Sequence, residues 1–195
     1  MKLTPQEKDY ILSKKPTLWL KEYNIKNEQG LPIEFNNHLF LYDIYNDFSP
    51  LQVIIKAAQI GFSTLAIIKT LFLCKLRKMD AIYTLPTVGD MHQFVGGKVN
   101  RIVNQNPILK QWVDEKDSVD QKSVGDNFIY YRGTFTDRSA LTITSDINVH
   151  DELDRSDQKV VEQYHSRLQH SPYKYEWYFL HPYSNFLCLW FRWVS

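Results

Sequence analysis

Between positions 51 and 77 the chain sets five mostly apolar residues, a short loop with one glycine, and fourteen residues that are apolar on nearly every helical face. Leu51-Gln52-Val53-Ile54-Ile55 is too short for a helix and is bounded by Ser49-Pro50, so it reads as a buried strand. Residues 64–77 read as a helix with no solvated stripe, which has to lie inside a layered core. The same alternation continues along the chain. Helices are expected over 5–13, within the aromatic-rich 31–47, over 90–103 with Pro107 as a stop, and over 159–169. Strands are expected over 81–85, 127–131, 140–144, 147–151 and 176–180. Strands alternating with helices predict an α/β domain around a mostly parallel sheet.

Composition supports a packed core and narrows the class. Of 195 residues, 44% are hydrophobic and 23% charged, which excludes disordered, collagen-like and disulfide-scaffold chains. Cys74 and Cys188 stand far apart in apolar runs and read as core thiols of a reducing compartment, without metal-ligand spacing. MKLTPQEKDY has no apolar segment of a secretory signal, and no apolar run is long enough to cross a membrane. The net charge of +1 does not announce a nucleic-acid binder. It conceals a segregation, however. Lys56, Lys69, Lys75, Arg77, Lys78, Lys98 and Arg101 stand against Asp80 and Asp90. Asp146, Asp151, Glu152, Asp154 and Asp157 then stand against Arg155. A basic stretch followed by an acidic cluster suits an anion held together with a metal cation; the plain alternative is two solvated faces.

The loop after the first strand sharpens that reading. Phosphate loops follow G-x-x-x-x-G-K-[ST] between a strand and a helix. Here the segment is Lys56-Ala57-Ala58-Gln59-Ile60-Gly61-Phe62-Ser63-Thr64. Gly61 fits the second glycine and Ser63 the metal-binding hydroxyl, while Lys56 replaces the first glycine and Phe62 the usual lysine. The helix N-terminus would offer N–H groups and its dipole to phosphate. Lys56, on a four-carbon stem, would return the missing positive charge to the same loop. About 90 residues on, Asp151 and Glu152 end a strand. There an acid can help hold Mg²⁺, and its neighbour can orient or deprotonate an attacking water. Successive strand residues point to opposite faces, so both acids serve one nucleotide only if the chain turns between them. His150 has no second histidine at ligand spacing and reads as a packing neighbour.

The loop K-x-A-Q-x-G-aromatic-S, then "TLPTVGD", then "HDELDRSD", resemble the ATPase domain of the large terminase subunit of tailed bacteriophages, in particular its GpA-like packaging ATPases. The resemblance runs from about Leu31 to Ser184. It implies a P-loop NTPase of the ASCE type, a three-layer sandwich with a mostly parallel central sheet. It implies ATP and Mg²⁺ as cofactors, nucleotide binding by residues 56–64, Ser63 and Asp151 at the metal, and Lys56 and Glu152 as the catalytic pair. Thr84-Leu85-Pro86-Thr87 resembles the segment after the family's second core strand. His181 and Tyr183 depart from its Ser/Thr-rich coupling motif. Phe40, Tyr42 and Tyr45 lie where related motors stack adenine, with core packing as the common alternative. Arg138, Arg155 and Arg167 are candidates for phosphate or neighbour-subunit contacts.

The implied organisation is an N-terminal extension with a helical, aromatic segment (1–45), the ATPase domain (46–184) and an atypical tail (185–195). The tail contains no acid, so no two-metal nuclease is expected there, and it reads as a truncated or frame-shifted end, with an amphipathic strand covering the core as the alternative. The implied activity is ATP hydrolysis coupled to packaging of double-stranded DNA into a procapsid, in the cytoplasm of a bacterial host. The implied partners are duplex DNA, further copies in a ring at a portal protein, and a small terminase subunit, with no membrane. The alternatives are a catalytically inactive remnant that only binds nucleotide, DNA or partner subunits, and another nucleic-acid-remodelling P-loop ATPase.

Overall fold

The computed structural model of the chain describes residues 4–36, 38–57, 59–113, 118–135 and 143–182. Helix α1 (Pro5–Lys14) starts on Thr4, whose hydroxyl and backbone are tied to Glu7 in a capping box, with Pro5 in the first turn. Helix α2 (Pro16–Glu22) buries Trp19 and Leu20, and α3 (Leu39–Asn46) buries Leu41 and Tyr45. Strand β1 (Leu51–Ile55) leads into α4 (Phe62–Arg77), which starts two residues before the sequence reading because Gly61 is its N-cap. Strand β2 (Ala81–Leu85) is buried at all five positions.

The next helix departs from expectation. It begins as α5 (Val88–Phe94), capped by Thr87 and Asp90, widens into a π-turn over Val95–Val99, and resumes as α6 (Asn100–Gln105). Pro107 does not only end this helix. It stands in the first turn of α7 (Pro107–Trp112), where its missing N–H costs nothing. Strand β3 (Gln121–Val124), not anticipated from sequence, forms a hairpin with β4 (Asn127–Gly133) through Gly125 at φ 67°. Of the expected strand 140–144, residues 140–142 lie outside the described residues, and Ile143 and Thr144 belong to no strand. Strand β5 (Ile147–His150), α8 (Gln158–His165) and β6 (Tyr175–Leu180) complete the domain. A short 3₁₀ turn over Ser166–Leu168 occupies the end of the longer helix expected there.

The sheet order is β1-β6-β5-β2-β4-β3, parallel throughout except for the β3–β4 hairpin. One face carries the large core, built from α4, the 88–112 helices and the N-terminal helices. Trp19 packs against both Phe72 and Trp112. The other face carries α8 over two smaller clusters, Ile82 with Tyr164 and Leu153 with Val161 and Leu180. This is the three-layer, mostly parallel α/β arrangement expected. Residues of α1–α3 share the main core with the sheet. Gly133 shows how tightly the layers meet: a Cβ there would lie 2.5 Å from the Val88 nitrogen. The C-terminal ends of β1, β5 and β6 lie side by side in register, Ile55 opposite Leu180 and His150 opposite Tyr178. Loops leaving those ends converge, and in open α/β sheets that edge is where ligands bind.

Candidate nucleotide site

Gly61, at φ 88°, makes the turn that launches α4, a conformation a residue with a side chain adopts only under strain. Among the described residues no side chain caps α4, so its first-turn N–H groups have no side-chain acceptor there. Such a terminus of a long helix is a ready anion cradle. Phe62, where the common pattern has lysine, is turned inward and packs near the rings of Phe40 and Phe179. The Thr64 hydroxyl donates to the Glu28 carboxylate at 3.0 Å, an acid from the turn after α2.

Lys56 leaves the end of β1, where its N–H donates to the Leu180 carbonyl. It is only 5% exposed, and its ammonium is paired with the Asp151 carboxylate, itself 2% exposed. The other oxygen of Asp151 accepts from the Tyr83 hydroxyl at 2.9 Å. Burial, then the neighbouring Asp151 charge, push the Tyr83 phenol well above its ordinary value, so it remains a donor. The Asp151 N–H in turn donates to the Thr84 carbonyl on β2. The chain turns at Glu152, which adopts φ 54° and so escapes strand alternation. Its carboxylate accepts from Arg155 at 2.7 Å. This is the turn required for two successive acids to reach one site.

Below the pair runs a second polar chain. His150 is fully buried, stacked 5.1 Å from the Tyr178 ring, with Nδ1 2.7 Å from the Thr84 hydroxyl. Its Nε2 lies 3.7 Å from Glu176, whose other oxygen is 2.7 Å from His165. Burial raises the Glu176 carboxyl, but contacts with His150 and His165 outweigh it and hold the group below its ordinary value. Among the described residues no group of three or more acid, histidine or cysteine side chains forms a metal cage. A cation here would therefore lean on one or two protein oxygens and on phosphate, as Mg²⁺ commonly does. The Ser63 hydroxyl and the Asp151 carboxylate suit that demand.

A cavity of about 720 Å³ collects these groups. Lys56, Ala57, Gln59, Ile60, Gly61, Phe62, Ser63, Thr64 and Glu152 line it, with Asp151 held beneath through Lys56. Ala58, Arg138 and Tyr183 lie outside the described residues. His181 lines the cavity, and its N–H donates to Asp154. Arg155 is engaged by Glu152, whereas the Arg167 carbonyl accepts from the Ser145 N–H away from the cavity wall. Tyr45 is core, Tyr42 is exposed edge-on to Phe35, and Phe40 is half exposed beside Phe62. Sequence reasoning missed Tyr83, Lys98 and the Asn27–Gln29 turn. Only Lys98 had left a signal, as part of the basic run, because the others arrive through long-range packing.

No protein-family model matches the chain, and no curated protein matches it. Solved structures do. The large terminase of bacteriophage HK97 superposes with a TM-score of 0.59 at 13% identity over 97% of this chain and 36% of that one. The large terminase of a thermophilic bacteriophage gives 0.51 at 14% identity, over 69% of this chain and 34% of that one. The same thermophilic terminase in complex with ADP gives 0.51 at 10% identity, over 67% and 33%. The chain thus spans about a third of the length of the structures it matches. No described helix is long and apolar enough to cross a membrane. The six-stranded, mostly parallel sheet is that of the P-loop fold, and the chain shares its fold with about a third of a phage large terminase.

Proposed function

We propose that this chain is the Mg²⁺-dependent ATP-hydrolysing motor part of a phage large terminase, coupling hydrolysis to packaging of double-stranded DNA. The observation that carries the reading is the convergence of the Lys56–Asp151 pair, the uncapped start of α4 and Glu152 on one cavity at the C-terminal edge of a parallel sheet. In this reading the amides of Gly61 to Thr64 bind the phosphates, and Lys56 exchanges its buried carboxylate partner for phosphate oxygen. Ser63, and Asp151 once Lys56 has released it, would hold Mg²⁺, which would supply positive charge beside the phosphates. Glu152 orients a water and takes its proton, which requires release of its carboxylate from Arg155. The working surroundings are duplex DNA, a ring of copies at a portal protein and a small terminase subunit, in the host cytoplasm.

The test is phosphate release by the purified chain with Mg-ATP, with and without duplex DNA. Glu152→Gln keeps the side chain's shape and removes the base, so turnover is expected to fall about 10²-fold or more with Mg-ATP binding retained. A Glu152→Gln protein that hydrolyses at the parent rate removes the catalytic assignment. A parent chain that binds Mg-ATP but releases no phosphate, with or without DNA, assigns it to the inactive alternative.

A further inference from the structure

We infer that Lys98 is a second cation for the phosphate chain, placed at the cavity by the π-turn in the helix after β2. The inference rests on reading the cavity as a nucleotide site. Along that helix Met91, Phe94, Val95, Val99, Ile102 and Val103 are buried. In an uninterrupted α-helix Lys98, seven residues after Met91 and four before Ile102, would fall within the same stripe and drive an ammonium into the core. The π-turn over Val95–Val99 widens the helix by one residue per turn and rotates Lys98 off the stripe. Lys98 is consequently half buried at the cavity wall, while its neighbour Val99 stays in the core. Gly96 and Gly97 within the turn have no packing reason, since a Cβ on either would meet nothing within 4 Å. They leave the backbone there free of side-chain crowding.

Charge gives the turn its purpose. Lys56 is neutralised by Asp151 and Glu152 by Arg155, while Glu28 adds a negative charge at Thr64. Among the described residues these groups sum, without Lys98, to a negative charge, which repels a polyphosphate. Among the described residues the Lys98 ammonium makes no hydrogen bond or ion pair, so it can be spent on the ligand. It approaches from a different element than the loop does, so the phosphate chain is gripped from two sides.

The experiment titrates Mg-ATP and Mg-ADP into the parent chain, Lys98→Ala and Lys98→Arg, with thermal melts as a fold control. Lys98→Ala is expected to melt like the parent and to bind Mg-ATP about 10-fold or more weakly, with Lys98→Arg recovering most of the loss. A larger loss for ATP than for ADP places Lys98 at the terminal phosphate, and equal losses place it at the phosphates the two nucleotides share. A folded Lys98→Ala protein that binds both nucleotides at parent strength overturns the inference and leaves the site reading intact. So does a variant that loses only duplex-DNA binding. A parent chain that binds neither nucleotide overturns the site reading and this inference with it. If Lys98→Ala does not fold, an unchanged affinity in Lys98→Gln serves as the same refutation.

Discussion

Lys56 and Lys69 both leave solvent beside the same strand, and they do so on opposite terms. Lys56 meets a carboxylate, so two buried charges cancel at the cavity floor. Lys69, in α4 and fully buried, meets no buried acid among the described residues. Its ammonium donates to the carbonyls of Ile44 and Asp47 at the end of α3, and sits 4.1 Å from the Trp177 ring and 5.5 Å from that of Phe48. Burial pulls its pKa down to about 7, with Asp47 working the other way. Burial alone would raise the Asp47 carboxyl, but bonds from Ser49 and the Lys69 charge hold it low. The partner of Lys56 is a discrete anion, which in the proposed reading phosphate replaces. The partners of Lys69 are backbone and rings that nothing replaces, and a neutral amine still has two hydrogens for two carbonyls. On that reading the first lysine exchanges partners, whereas the second ties α4 to the end of α3 and to Trp177 on β6.

Breaking the exchangeable pair has the largest expected effect. Lys56→Ala removes the loop's cation and strands the Asp151 carboxylate in the interior with Tyr83 as its remaining side-chain donor. Hydrolysis is expected to disappear, and unfolding in urea to show a loss of about 3–5 kcal/mol, the usual cost of an uncompensated buried charge. Lys56→Met combined with Asp151→Asn should recover much of the stability and none of the activity. A single Lys56→Ala variant as stable as the parent would mean that water, not packing, surrounds the pair.

A smaller effect is expected one contact further out. Tyr83→Phe keeps the ring stacked 5.0 Å from Phe94 and deletes the hydroxyl that donates to Asp151. The expected loss of stability is about 1.5–3 kcal/mol, the scale of a hydrogen bond to a charged group. Mg²⁺ titration at fixed nucleotide should show weaker apparent metal affinity, because the carboxylate loses the bond that orients it. Unchanged metal affinity with reduced stability would confine Tyr83 to packing.

The legible parts of this molecule are those written in local pattern. The strand–loop–helix over 51–77, the buried strand 81–85 and the acid pair at a strand end follow from periodicity, turn residues and spacing within short windows. The π-turn was not legible, because Met91, Val95 and Ile102 fit an ordinary helix and only the misplaced Lys98 marks the irregularity. Glu28 at Thr64 and Tyr83 at Asp151 join positions 36 and 68 residues apart, which no local pattern encodes. The fate of Lys56 was half legible: its place in the loop was evident, while its pairing with Asp151 depends on β1 and β5 flanking β6. Lys69 gave no sign of its burial beyond sitting in a helix apolar on every other side.

The smallest expected effect is a slope, and it tests the fixed lysine through pH. In the unfolded chain Lys69 titrates at ~10.4, whereas burial brings it down to about 7 in the folded chain. Below pH 7 both states carry the proton, and the full cost of the buried charge is present. Between pH 7 and about 10 the unfolded chain keeps a proton that the folded chain has released, so unfolding takes up a proton and stability rises with pH. Above that window both are neutral and the contribution is constant. The slope approaches about 1.4 kcal/mol per pH unit at most, and less at the edges of the window, so each step of the titration is small beside the losses above. Lys69→Met removes the titration and leaves the Ile44 and Asp47 carbonyls without this donor. Urea unfolding of the two proteins at intervals from pH 6 to 10 isolates Lys69, since every other lysine contributes alike to both. The parent is expected to gain on the variant as pH rises. Parallel curves would show that Lys69 keeps its proton in the fold, held by carbonyls and aromatic faces as firmly as Lys56 is held by Asp151. The contrast between the two lysines would then lie in what they bind and not in what their burial costs.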